Sequence, residues 1–422
     1  MDHTQSQIYD IIVVGGGPAG MMAAGRAAEC GARVLLLEKN AKLGKKLLIT
    51  GGGRCNITNA ELDVRKMVAK YGPKGKALFG AFSRFGVAET LEFFHTQGLE
   101  TKVEAEQRAF PKSNKAEDVW KTLVTYMRTG HVTVELNVPV DKILVENNVV
   151  TGVRVGKKIY QAKQFIIATG GKSRPETGST GDGFVWMQEI GHTVDESKAA
   201  LVPVTTKEQW QKELSGLSFP EAKLTVVQDG KKVQQKTGKL LFAHFGLSGP
   251  LVLNMSKALQ DLFAYSPVTL VLDVYPNLDA VALDKKVLDV FNVAPNKKIR
   301  NNLGDIIPPK MILTLLKLCS IDPEKECNIV TKTERTRLVQ QLKNFRLTVT
   351  GFLGMDKAIT TSGGVNLTEI DFKTAQSKLF SNLYLVGDML DFDRPSGGFS
   401  LQICWTTGYL AGEAAAQTRK PS

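Results

Sequence analysis

Hydrophobic residues arrive in short unbroken runs at the start of the chain. Tyr9-Asp-Ile-Ile-Val-Val14 is a β-branched run of strand length that stops at Gly15-Gly16-Gly17-Pro18-Ala19-Gly20. A run without polar alternation predicts a strand buried on both faces. The Ala- and Met-rich stretch that follows, to about Cys30, predicts a helix that Gly31 closes. Arg33-Val-Leu-Leu-Leu37 predicts a second buried strand. Strand, helix and strand within about 30 residues make a βαβ unit, which implies a parallel sheet.

Phe165-Ile-Ile-Ala-Thr-Gly170 and Leu383-Tyr-Leu-Val-Gly387 are two further apolar runs, each ending in glycine. Between them the texture changes. Residues from about 198 to 280 alternate apolar and polar, with turn signals at Asp229-Gly230 and Thr237-Gly238, and predict an antiparallel β module. Residues 281 to 344 predict helices rich in Lys and Arg, interrupted at Pro308-Pro309. The expected fold is therefore α/β: a Rossmann-like domain over 1–197 and 355–422, split by an insertion. The insertion has a β-rich, barrel-like part over 198–280 and 345–354 and a small basic helical part over 281–344.

With 422 residues, more than one domain is expected. A 43% hydrophobic and 23% charged composition is that of a globular chain. No apolar run reaches the length of a membrane span, and the polar start, Met1 to Asp10, shows no signal peptide. The five cysteines are odd in number and scattered, without a CxxC pair, which fits a reduced cytoplasm. The +12 formal charge is unevenly spread. Residues 39–84 hold eleven Lys or Arg against Glu61 and Asp63, and residues 281–346 hold thirteen against seven acids. Clustered cations steer polyanions, RNA among them. A solvated basic surface with a few lysines neutralising cofactor phosphates explains the same count. In the helical part, Lys297, Lys298, Arg300, Arg335, Arg337, Lys343 and Arg346 are the side chains that a nucleic-acid backbone would meet.

The candidate chemistry begins at Gly15-x-Gly17-x-x-Gly20. The first glycine permits the turn, the second lets backbone approach a pyrophosphate, and the third lets helix and strand pack closely. Pro18 and Ala19 open the helix, whose N-terminal N–H groups suit phosphate. Glu38 lies 18 residues after Gly20, at the end of the second strand, where a carboxylate accepts ribose hydroxyls. Lys39 follows it, and Val140 completes the expected nucleotide-side contacts. This fingerprint alone does not separate NAD from FAD. A second fingerprint for NAD(P)H is absent, since Gly178-Ser-Thr-Gly181-Asp-Gly183 has the wrong spacing.

Three later segments favour FAD by resemblance. Ala168-Thr169-Gly170 is similar to the second nucleotide-side turn of two-domain flavoproteins, and Val386-Gly387-Asp388 is similar to their C-terminal strand, whose Asp binds the ribityl and pyrophosphate side. Ser396-Gly397-Gly398-Phe399-Ser400-Leu401-Gln402 opens a final helix that runs to about Ala416 and sets its N-terminus toward the flavin ring. Leu43-Gly44-Lys45-Lys46 and Thr50-Gly-Gly-Gly-Arg54-Cys55-Asn56-Ile-Thr-Asn59 are the most distinctive stretch. With 165–183, 241–250, 360–365 and 383–411, they make the chain resemble the YhiN/BaiN-like bacterial FAD-dependent oxidoreductases, a group that includes aminoacetone-oxidase-like flavoproteins. That resemblance implies FAD rather than NAD, an inserted barrel-like domain with a small helical domain, and a loop over the flavin lined by Lys46, Gly53, Arg54 and Asn56. No histidine, cysteine or tyrosine beside the glycine turns stands out for covalent attachment, so the FAD is expected to be non-covalent. Cys404 departs from the family's Ala and is expected to pack the final helix.

Arg54 and His244, the latter in Ala-His-Phe-Gly-Leu-Ser-Gly-Pro, are the candidates for acting on substrate; a loop histidine bonded to backbone is the plainer reading of His244. Cys55 beside Arg54 reads either as a low-pKa acid or as an inert buried thiol, the commoner state of free cysteine. Thr361-Ser-Gly-Gly-Val365 reads as a loop reaching the flavin. Relatives implied by the resemblance reduce bile-acid enones, reduce uridine in ribosomal RNA or oxidise aminoacetone. The expected activity is reduction of an activated C=C bond with NAD(P)H as transient donor, on an RNA or a small-molecule substrate.

Overall fold

The buried run Tyr9–Val14 forms the central one of five parallel strands in a seven-stranded sheet, in a computed structural model that describes residues 9–417. Ala162–Ile167 pairs with it on one side and Val34–Glu38 on the other, both parallel. Leu383–Leu385 extends the parallel part beyond the first, and Thr133–Leu136 beyond the second. Two short antiparallel strands, Ile370–Asp371 and Gln376–Ser377, finish one edge. Every residue of Val34–Glu38 is buried, as a strand covered on both faces requires.

The first helix, Pro18–Glu29, and the final helix, Phe399–Gln417, pack against each other on one face of the sheet. Small residues at their contact, Ala19 and Ala23 against Gly408 and Gly412, let the backbones approach closely. The Ala-rich composition that marked the first helix in the sequence is thus a packing requirement. This architecture is a Rossmann-like α/β fold. Among the described residues, no helix is long and apolar enough to cross a membrane.

The chain divides into two compact units, one built from residues up to Ala199 with those from Ala358 onward, the other from Ala200–Lys357. In the second unit, six strands close a barrel: Val204–Thr206, Gly246–Ser248, Lys231–Ala243, Ser218–Gln228, Val268–Asp273 and Phe345–Phe352. Helices Ala280–Val293, Pro309–Leu318 and Lys332–Lys343 lie between its last two strands. Leu283, Leu315 and Leu342 from those helices share one buried core with Leu224, Phe242 and Leu270 of the barrel. The sequence reading divided this region into a β-rich and a helical domain; the packing joins them, because the helices bury their apolar faces on the barrel.

Candidate active site

The glycine turn after the central strand separates into two kinds of position. Gly15 has φ +105°, and a Cβ there would stand 2.6 Å from the Ala168 carbonyl oxygen; a Cβ on Gly20 would collide with the Gly15 carbonyl. Both are packing requirements. Gly17 is different: nothing lies within 4 Å of where its Cβ would stand, and it lines a large cavity. The backbone is therefore bare toward open space, the cradle that a pyrophosphate needs. Met21 is the first residue of the helix whose N–H bonds back, to the Gly17 carbonyl. Gly15 N–H is already given to the Leu37 carbonyl and Gly16 N–H to Glu38, and Pro18 has none. Among the described residues it is therefore Gly17 N–H, with the helix start behind it, that is left for an anion.

The cavity holds about 1160 Å³ of unfilled space including its mouth, and it opens at the carboxyl ends of the parallel strands. That is where open α/β sheets bind ligands. Gly15, Gly17, Pro18 and Ala19 form one wall, with Glu38, Lys39 and Val140 beside them. Ala168, Thr169 and Gly170 face these across the central strand, and Lys46 and Asp388 reach in from separate loops. Ser400 and Leu401 bring the first turn of the final helix to the same space, so two helix N-termini open on it. An elongated dinucleotide fits this donor set.

Several expected contacts lie elsewhere. Gly20 and Gly387 sit behind the cavity wall, Gly20 against Gly15 and Gly387 against Ala19. Gly398 turns tightly over the Thr58 backbone. Phe399 is in the core, its carbonyl accepting from the Tyr71 hydroxyl. Gln402 is wholly buried; its amide donates to Gly86 O and Thr90 Oγ1, and its oxygen accepts from Thr58 Oγ1. These residues shape the start of the final helix rather than line the cavity. Gly53 is exposed in the Thr50–Gly53 turn. Asn56 keeps a buried Oδ1 that has no partner among the described residues.

The charges in the cavity are set by distant partners. Glu38 accepts from Gly16 N at 2.7 Å through one oxygen and from Asn40 N and Nδ2 through the other. This carboxylate thus braces the turn as well as facing the cavity. Lys39 donates to Thr180 Oγ1 and Asp182. Burial tends to raise the Asp182 carboxyl, but Lys39 and Thr180 hold it below its ordinary value. Lys46 donates to Ser173 Oγ at 2.6 Å and lies 3.5 Å from Asp388, whose other oxygen accepts from Arg394 Nη1 at 2.7 Å. Burial also works to raise the Asp388 carboxyl, and Arg394 and Lys46 more than offset it, leaving the group below its ordinary value. Arg394 itself is 1% exposed and keeps a buried Nε–H without a partner among the described residues.

Sequence reasoning passed over Arg394 and Ser173, which carry no motif of their own. It also set aside Gly178–Gly183 as a failed second fingerprint, yet Thr177, Gly178, Ser179 and Asp182 form part of the same wall. The glycine density there was the available signal. Thr361–Val365 is not the expected loop: Thr360–Val365 is a buried strand, and Thr361 Oγ1 accepts from the N–H groups of Lys172 and Ser173. Its strand partner is Val194–Ala200.

Arg54 does not line the cavity. It donates to Asn114 Oδ1 and Glu104 and stacks 4.1 Å over the Phe110 ring. Hydrogen bonds from Arg54 and Lys102 hold the Glu104 carboxyl below its ordinary value. His244, in the second unit, is exposed at the turn joining Lys231–Ala243 to Gly246–Ser248, edge-on to Phe245 at 4.9 Å. Cys55 is wholly buried, and burial pushes its thiol up to about 12 against a hydrogen bond with Thr50. The low-pKa reading of Cys55 is therefore corrected. Cys404 is buried beside the Gly387 turn and also lines the cavity, so it does more than pack the final helix. All five cysteines are free and only Cys30 is exposed, so a maleimide should add once to the native protein, at Cys30. Peptide mass spectrometry of the labelled protein checks this; an adduct at Cys55 would show that its loop opens.

Residues 9–414 match the family model of the HI0933-like protein Rossmann domain. A 3-dehydro-bile acid delta(4,6)-reductase of Clostridium scindens is 30% identical over 96% of this chain and 98% of its own length. A ribosomal RNA dihydrouridine synthase of Escherichia coli is 27% identical over 96% of this chain and 97% of its own. Among solved structures, a 3-ketosteroid delta1-dehydrogenase of Sterolibacterium denitrificans superposes with a TM-score of 0.56 at 14% identity, covering 98% of this chain and all of that one. At that identity the match speaks for the fold.

Proposed function

The chain belongs to the HI0933-like Rossmann family and is an FAD-dependent oxidoreductase, and from that premise we propose that it reduces an activated carbon–carbon double bond with hydride from NAD(P)H. The observation that carries this reading is that relatives aligned over nearly their whole length are named for adding hydrogen across such a bond. Bound FAD supplies the hydride relay between donor and acceptor. The protein's own part is to hold and shield that relay. Gly17 would take the pyrophosphate on its bare backbone, with the start of the first helix behind it and Gly15, Pro18 and Ala19 shaping the wall. Glu38 would take ribose hydroxyls with the lone pairs that Gly16 and Asn40 leave, and Asp388, kept ionised by Arg394 and Lys46, would accept from the ribityl side. Ser400 and Leu401 would offer first-turn N–H groups of the final helix where negative charge develops.

For the substrate we favour a uracil base in ribosomal RNA, on the +12 charge. The 30% identity to the bile acid reductase favours a small enone instead. Five free thiols support a reducing, cytoplasmic setting.

Anaerobic mixing with NADPH and with NADH tests the donor. At least one is expected to bleach the flavin, with slow recovery in air. Indifference to both, with fast turnover of a small amine in air, would replace the reductase with an oxidase. Incubating the reduced enzyme with unmodified ribosomal RNA and with a steroid enone then separates the substrates, read as a gain of two hydrogens by mass.

A further inference from the structure

Of the cations that the sequence assigned to RNA in the helical part, most are already engaged. Arg335 makes a two-pronged ion pair with Asp284, Lys298 and Arg300 both reach Glu324, and Lys343 caps the Tyr275 and Leu278 carbonyls beside Asp273. A different element of the same unit carries cations without such partners. Lys231–Ala243 begins Lys-Lys-Val-Gln-Gln-Lys-Thr-Gly-Lys, nine residues with four lysines and no acid. Lys231, Lys232, Lys236 and Lys239 are all exposed, and among the described residues none has a carboxylate within ion-pair distance. The nearby Asp229 is bonded to Ser266 Oγ, and Asp273 is shared by Lys223 and Lys343.

The strand is also an edge over this stretch. It pairs with Ser218–Gln228 on one side, but its second partner, Gly246–Ser248, joins only from Leu241 onward. At about 3.4 Å per residue the lysine strip extends roughly 27 Å. Lysines on an open edge discourage pairing with another chain, a task that one or two perform. Four in nine residues, none with a carboxylate partner among the described residues, also build a positive potential along the edge, with Lys231 and Lys236 on one register face and Lys232 on the other. We propose that this edge strand is the strip by which the inserted unit grips the phosphate backbone of an RNA substrate. The proposal rests on the RNA reading above and names the surface that serves it. The charge complementarity is that of an extended cationic ridge for an extended polyanion, with lysine acting as a point charge on phosphate.

The experiment compares the full-length holoenzyme with a Lys231→Gln/Lys232→Gln/Lys236→Gln/Lys239→Gln variant, a Lys→Arg set at the same positions, and a Lys297→Gln/Lys298→Gln/Arg300→Gln variant. Binding of a structured ribosomal RNA fragment is measured from low to physiological salt. Each single-strand phosphate contact contributes about 0.7 to the slope of log affinity against log salt. The four-lysine variant is expected to lose roughly 2 to 3 units of slope and to bind more than about tenfold more weakly. The arginine set should hold the wild-type slope, and the helical variant should lose less. Reduction of a small enone and the melting temperature should be unchanged, which separates lost grip from lost fold. Wild-type slope in the four-lysine variant would overturn the strip while leaving the RNA reading intact. Failure of the wild type itself to bind or reduce RNA would overturn both. Equal lysine-dependent binding to phosphatidylserine vesicles, with none to RNA, would overturn the proposal in favour of a membrane surface.

Discussion

Gly17→Val is expected to purify folded but colourless. Gly17 has φ −78°, which valine adopts freely, and no protein atom lies within 4 Å of the new Cβ. The fold therefore has no reason to resist the change. The added branched side chain would instead fill the space in front of the backbone where a pyrophosphate must approach. Flavin retention should fall by far more than tenfold, beyond about 1.4 kcal/mol of affinity, while the melting temperature of the apoprotein stays near that of stripped wild type. Gly20→Val makes the contrast, since its Cβ would collide with the Gly15 carbonyl; it should fail to fold rather than fail to bind. Flavin absorbance per protein and a thermal melt read both outcomes. Stoichiometric flavin on folded Gly17→Val would mean that the cofactor does not lie against this turn.

Arg394→Ala is expected to lose both stability and the flat pH dependence of flavin retention. Removing one partner of a buried ion pair costs about 3–5 kcal/mol, and the Arg394 side chain is 1% exposed. The pH argument follows from Asp388. Burial raises its carboxyl, and Arg394 and Lys46 bring it below the ordinary value. A depressed carboxylate contributes above its unfolded value, about 3.9, and the contribution is lost only as pH falls through the lower folded value. Retention in the wild type should therefore be level between pH 5 and 8. Without Arg394 only Lys46 opposes the burial effect and the carboxyl moves up, so the loss on acidification begins at higher pH. On acidification Arg394→Ala should begin to shed flavin at a higher pH than the wild type, and Arg394→Lys should largely restore the wild-type profile. Equilibrium dialysis on acidification is the measurement, and a wild-type profile in Arg394→Ala would remove Arg394 from the support of Asp388.

Local order did much of the work in the N-terminal βαβ unit. Tyr9–Val14 and Val34–Glu38 are strands because their unbroken apolar runs are stable only when covered on both faces. The helix between them was legible from its Ala-rich composition and glycine stop, although its burial depends on the final helix packed against it. The place of Glu38 beside the cavity was legible for the same reason, since strand and helix lengths fix where it emerges. Thr361–Val365 was misread because Gly363 and Gly364 resemble turn residues. In the fold they have φ of +87° and +138° where the strand passes close to the Glu196 and Met389 carbonyls. Those close approaches come from the partner strand and from the Gly387–Met389 turn, and leave no local mark.

The sequence by itself pointed to a βαβ unit in a parallel sheet, to a glycine turn open to a phosphate, and to an insertion dividing a Rossmann-like fold; the order of the strands came from the structure. Each of those sequence readings follows from periodicity and glycine spacing within a few tens of residues. Only the tertiary structure decided which charges are spent. Lys46 meets Asp388, Lys74 meets Asp391 and Arg84 meets Glu413 across more than 300 residues, while Lys39 and Arg54 are met by Asp182 and Glu104. A count of cations from 39 to 84 therefore overstated a free basic surface, whereas Lys231 to Lys239, unremarkable as a stretch of sequence, keeps its charge. Net charge is a property of composition, but the potential presented to a partner depends on which carboxylates the fold brings within about 4 Å, and that is a property of chain topology.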